Sequence, residues 1–75
     1  MDDYFVIQPI SGLWVVVSSE IILARCPALP EAIRAGVKLA SRTASHGRRV
    51  QVLVDEPVRG RTVIWDSTRD GFSSI

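Results

Sequence analysis

Hydrophobic and polar residues alternate with a period of two at both ends of this chain and with a longer period in the middle. Residues 4–9, Tyr-Phe-Val-Ile-Gln-Pro, are aromatic and β-branched, the composition that fits a pleated, half-buried strand. Ile10-Ser11-Gly12 reads as a turn, and Leu13 to Ser18 as the returning strand of a hairpin. After a break at Ser18-Ser19, Glu20 to Arg25 reads as a third strand, which Cys26-Pro27-Ala28-Leu29-Pro30 ends. From Pro30 to about Ser45 the spacing becomes helical. Leu29, Ile33, Gly36/Val37, Ala40 and Ala44 form one apolar stripe, and Arg34, Lys38 and Arg42 lie opposite it. Proline belongs in a first helical turn, Glu31 complements the helix dipole there, and Gly47 supplies the stop. Alternation returns in Arg49 to Asp55 and Arg61 to Asp66, joined through Glu56-Pro57-Val58-Arg59-Gly60.

This order, β-β-β-α-β-β, predicts an α+β domain: an antiparallel sheet of four to five strands with one helix packed on one face. A single domain spans residues 1–75, with an ordered core at about 4–66 and a polar tail over 67–75.

Alternation also assigns faces once each hairpin has a register, because a slip of one residue reverses every side chain. Closing the first hairpin over residues 10–12 places Phe5, Ile7, Pro9, Leu13, Val15 and Val17 beneath the helix. Its reverse then carries Tyr4, Val6, Gln8, Trp14, Val16 and Ser18. Closing the second over 56–60 sets Asp55 against Arg61, Val54 against Thr62 and Val52 against Ile64. Its reverse carries Gln51, Leu53, Val63 and Trp65. One helix covers one face, so the other is expected to be an apolar, partly aromatic patch, and such patches mark interaction surfaces. The expected oligomer face is Tyr4, Val6, Trp14, Val16, Leu53, Val63 and Trp65, packed against the same face of a second copy in a homodimer. A register one residue different instead tucks both tryptophans beneath the helix and removes the aromatic part of that argument.

Composition sharpens the expectation of assembly. A domain this short buries only about 60% of its unfolded surface. One cysteine, Cys26, excludes an internal disulfide, and one histidine, His46, makes a Cys/His metal cluster a poor fit. Net charge is +1, from nine basic and eight acidic residues, which does not suit a wholesale nucleic-acid binder. A local basic face at Arg34, Lys38, Arg42, Arg48 and Arg49 keeps nucleic acid as the alternative partner, with a solvated helix face as the ordinary explanation. The aromatic sheet face could also stack bases.

No enzyme is expected. Cys26 and His46 flank the helix, whose roughly 16 residues at about 1.5 Å each keep them more than about 20 Å apart, beyond the reach of a dyad. Asp55 and Glu56 point to opposite faces, Asp66 and Asp70 lack metal-loop spacing, and the five glycines form no phosphate loop. Catalytic, cofactor and metal sites are therefore not assigned, and no small-molecule substrate is expected. The acidic start Met-Asp-Asp-Tyr lacks the basic beginning of a signal peptide. No apolar run approaches the roughly 18 residues that suggest a membrane span, and the free thiol suits a reducing compartment. The expected location is cytoplasmic.

The Trp14-Val15-Val16 hairpin, Ala24-Arg25, the helix motif Glu31-Ala32-Ile33-x-x-Gly-x-x-Leu39-Ala40 and the strand Val50-Gln51-Val52-Leu53-Val54 together resemble a known pattern. It is that of a family of short bacterial proteins of unknown function, built from a Trp-containing hairpin, one Glu-Ala-Ile…Ala helix and a C-terminal hairpin. The resemblance covers roughly residues 4–66 and implies a fold without catalytic residues. Tyr4-Phe5-Val6-Ile7 and Glu31-Ala32-Ile33 are also similar to the antitoxin half of small RNA-targeting toxin–antitoxin pairs, which implies an antitoxin-like regulator as a minor alternative.

Overall fold

The computed structural model describes residues 2–71, with the side chains of 3–70. Five strands and one helix follow in the order β1 (Asp2–Ile10), β2 (Leu13–Ser18), β3 (Ile21–Cys26), α1 (Leu29–Ala44), β4 (Arg49–Glu56) and β5 (Gly60–Asp66). A single π-helical turn, Ser67–Gly71, closes the described chain. The strands form one sheet in the order β3-β2-β1-β4-β5.

The sheet is mixed, where the sequence reading expected it to be antiparallel throughout. β1 and β4 pair in parallel, Phe5 beside Val52 and Ile7 beside Val54. The reason is the crossover. Two tight turns leave β3 running in the direction of β1, and α1 then carries the chain back across the sheet, so β4 enters in that same direction. β1 becomes the central strand, bonded on both sides.

The first turn is one residue shorter than the apolar pattern suggests, and the second lies one residue later than the expected break at Ser18-Ser19. Ile10 pairs with Leu13, so the loop is Ser11-Gly12, with φ of 51° and 82°. Ser18 pairs with Ile21 around Ser19-Glu20, at 52° and 66°. Two consecutive positive φ values give the turn whose twist matches paired strands. The two-residue first turn moves β2 by one position relative to the expected register. Trp14 and Val16 therefore share the helix face with Phe5 and Ile7, while Leu13, Val15 and Val17 turn to the open face.

The second hairpin keeps the expected pairs Asp55–Arg61, Val54–Thr62 and Leu53–Val63. It then shifts by one, so Trp65, not Ile64, stands opposite Val52. Ile64 is the extra residue of a β-bulge, and both Ile64 and Trp65 pack against the helix-side core. β3 has a matching irregularity: Val16 pairs with Ala24 and Val17 with Ile22, which leaves Leu23 as the extra residue.

α1 carries proline in its first turn and Ala28 at the N-cap position, where no side chain caps the helix. It buries Ala32, Gly36, Ala40 and Ala44, a stripe of small residues four apart. Leu29, Ile33 and Val37, expected within the apolar stripe, are only partly buried and flank it, with Ala35 and Leu39 on the other side. The small stripe lets the backbone approach closely: a Cβ built on Gly36 would lie 3.2 Å from Ile7 Cδ1 and 3.4 Å from Val52 Cγ1. Ile7, Val16, Val50 and Val52 are fully buried beneath it. Each such side chain contributes about 1.5–3 kcal/mol by leaving water. The helix is neither long nor apolar enough to cross a membrane.

Candidate interaction face

The face away from α1 has no covering element among the described residues, and the register places its side chains in rows. Val6 pairs with Val17 on one side and Leu53 on the other; Val17 pairs with Ile22, and Leu53 with Val63. One unbroken aliphatic row, Ile22–Val17–Val6–Leu53–Val63, thus crosses all five strands. Its ends are open to solvent, Ile22 at 39% and Val63 at 38%, and its middle is half-buried.

Polar rows bound it. Toward the C-terminal end of β1 lie Gln8, Val15 and Arg25 in register, and Asp55 paired with Arg61. Val15 is only 2% exposed despite facing away from the helix, and its cross-strand neighbours Gln8 and Arg25 flank it. Toward the other end lie Tyr4, Gln51 and Asp66 in register. Glu20 sits in the turn at that end of β3.

Of the seven residues expected on this face, Tyr4, Val6, Leu53 and Val63 are there. Trp14, Val16 and Trp65 are not. Val16 is fully buried in the helix-side core, and both tryptophans pack against that core half-buried. The physical cause is the two-residue turn for the first pair and the Ile64 bulge for Trp65. In exchange the face gains Leu13, Val15, Val17 and Ile22, so it is aliphatic rather than aromatic, and Tyr4 is the ring that remains. The first three of those gains were legible in the Ser11-Gly12 dipeptide, a turn marker short enough to close a two-residue hairpin.

The five basic positions do not form one free cluster. Arg34, Lys38 and Arg42 are exposed on the outside of α1. Arg48 donates two hydrogen bonds to Asp3, one of them 3.0 Å long, which holds its guanidinium pKa above the ordinary value. Arg49 reaches Asp66 at 3.4 Å.

Asp66 is the centre of the densest polar network. Its carboxylate accepts hydrogen bonds from Gln51 Nε2 at 2.8 Å, from the Thr68 amide at 2.9 Å and from Thr68 Oγ1 at 2.7 Å. Those donors, led by Gln51 and then Thr68, hold its pKa well below the ordinary 3.8. The Asp66 amide donates to Asp70 Oδ2 at 3.0 Å, and Val50 N–H donates to a buried Ser67 Oγ at 2.9 Å. In the segment after Asp66, read from the sequence as a polar tail, Ser67 bonds to the start of β4 at Val50, and Thr68 and Asp70 bond back to Asp66. The rest of that expected tail, 72–75, lies outside the described residues. Every acceptor here is answered by protein, which is the signature of a structural clasp.

Cys26 is half-buried against the core at the end of β3, and His46 is exposed beyond the far end of α1. Among the described residues no three His, Cys, Asp or Glu side chains gather as a metal would require, and no pocket is present. No protein-family model matches this chain, and neither a curated protein nor a solved structure gives a significant match.

Proposed function

We propose that this domain is a non-enzymatic, homo-oligomeric interaction module whose working surface is the sheet face opposite α1. The observation that carries the reading is the unbroken row Ile22–Val17–Val6–Leu53–Val63. Five aliphatic side chains aligned across every strand form an apolar band with no covering element among the described residues. The edges of the sheet suit strand addition less well. Both edge strands are bulged, at Leu23 in β3 and Ile64 in β5, a device that discourages edge pairing. The test is solution mass against concentration, by sedimentation or light scattering. The wild-type chain is expected to self-associate reversibly, and Val63→Lys, at the exposed end of the band, is expected to shift the equilibrium to monomer with the circular dichroism spectrum unchanged. A wild-type chain that stays monomeric into the millimolar range refutes the proposal.

Nucleic-acid binding through α1 is the second reading, favoured by one observation: Arg34, Lys38 and Arg42 line one exposed face, and none forms a salt bridge among the described residues. Stacking on the sheet is the weaker version, because Trp14 and Trp65 pack on the helix side. A gel shift at low salt, abolished by Arg34→Ala with Arg42→Ala, supports the helix route; no shift removes it.

A further inference from the structure

Resting on the reading of the open face as a homodimer surface, we infer the orientation of the pair: the two copies are related by a two-fold axis running along the aliphatic row, across the strands, so that each strand lies over its own counterpart. The inference comes from the charges that flank the row.

Two sheets packed face to face have two simple ways to be related by a two-fold axis in the interface. The axis can lie along the strands or across them. In either case the aliphatic row meets itself, so hydrophobic burial does not choose between them. The charges do.

On the side of the row toward the C-terminal end of β1, β3 carries Arg25, β4 carries Asp55 and β5 carries Arg61. On the other side, β3 begins after Glu20, β4 begins at Arg49 and β5 ends at Asp66. Each of these three strands therefore has opposite signs at its two ends: minus to plus along β3, plus to minus along β4, plus to minus along β5. Within the fold these charges already alternate, Asp55 with Arg61 at 3.3 Å and Arg49 with Asp66 at 3.4 Å.

An axis across the strands inverts the second copy end for end while keeping β3 over β3 and β5 over β5. Arg25 then lies over the second copy's Glu20 and Arg61 over its largely buried Asp66, while Asp55 lies over its Gln51 with Arg49 two residues further out. Each charge approaches one of opposite sign, Arg25 with Glu20 most directly, and symmetry makes each approach occur twice. An axis along the strands instead places β3 over β5 without inverting the ends. Arg25 then meets the second copy's Arg61, and Glu20 meets its Asp66. Like charges juxtaposed across an interface are strongly unfavourable, and charge placement of this kind fixes orientation more than it sets affinity.

Area sets the expected strength. Four strand spacings of about 4.8 Å and strands of about six residues give a face of roughly 20 by 20 Å. Two such faces total only about 800 Å², just under the roughly 1,000 Å² at which specific interfaces begin, so the dimer is a weak, reversible one. That is the regime in which flanking charges are measurable.

The experiment is dimer affinity by sedimentation for wild type, Arg25→Glu, Glu20→Arg and the double exchange. Val63→Lys serves as the face control, and Val6→Asp, checked for folding by circular dichroism, as a second one. Each single reversal is expected to weaken dimerisation about ten-fold or more, and the double exchange to restore it to within about three-fold of wild type. Added salt is expected to weaken the wild-type dimer. If Arg25→Glu tightens the dimer or leaves it unchanged while Val63→Lys abolishes it, the orientation is wrong and the face reading survives. If the wild type is monomeric, or a folded Val63→Lys and a folded Val6→Asp both dimerise like wild type, the face reading fails and the orientation falls with it.

Discussion

Enlarging Gly36 tests how closely the helix sits on the sheet. A Cβ at this position meets Ile7 Cδ1 at 3.2 Å and Val52 Cγ1 at 3.4 Å, so the two effects of adding atoms oppose each other. Alanine gains about 1 kcal/mol of helix propensity over glycine. Its one tight contact is with the terminal methyl of an isoleucine, which can rotate away by a few tenths of an ångström. Gly36→Ala is therefore expected to change stability by less than about 1 kcal/mol, which is under about 8 °C in Tm for a domain of this size. Leucine gains a similar propensity but adds three further carbons where Ile7 and Val52 leave no room. Overpacking of that kind costs about 1–3 kcal/mol. Lifting the helix also loosens its contacts with Phe5 and Val50, so a net loss of about 2 kcal/mol is expected for Gly36→Leu. With a total stability of roughly 4–11 kcal/mol, the variant remains folded and measurable. Urea unfolding followed by circular dichroism and tryptophan fluorescence gives both values. Removing Cδ1 through Ile7→Val is expected to be less damaging in the Gly36→Ala background than alone, because it vacates the space the new methyl needs. A Gly36→Leu variant with the wild-type midpoint would refute the close approach of α1.

Three further outcomes follow from the packing and turns. Trp14 and Trp65, packed against the helix-side core, are expected to emit at shorter wavelength than in urea and to resist iodide quenching even in monomeric Val63→Lys; free quenching of both would place them on the open face. Replacing Ser19-Glu20 by Asn-Gly relieves two positive φ values, of which the one at Glu20 costs about 1–2 kcal/mol, so thermal melting is expected to rise while dimerisation weakens through loss of Glu20. For Asp66 the folded pKa lies below the unfolded value near 3.8, so its contribution is complete above that value and lost as pH falls through the folded one. Asp66→Asn is accordingly expected to melt below wild type at neutral pH, with the gap closing progressively as the pH drops under about 4; a gap that widens in acid contradicts the clasp.

The local periodicities of this chain determine its elements. Alternation in residues 4–9 and 49–55, a helical stripe from Leu29 to Ala44, and glycine at the turns specify five strands and one helix, because each signal depends only on a residue's immediate neighbours. The pairing Asp55–Arg61 was legible for the same reason, since a short hairpin is itself local. Three things were decided only by the tertiary structure. The parallel pairing of β1 with β4 is set by where a sixteen-residue helix returns the chain, a matter of global packing rather than sequence spacing. The side on which Trp14 and Trp65 lie depends on a two-residue turn, which reverses the whole of β2, and on one bulged residue, Ile64, which re-faces only the end of β5; apolar patterning registers neither. The aliphatic row exists only once five strands from distant parts of the chain are in register, since no two of its members except those on paired strands are related by any spacing in the sequence.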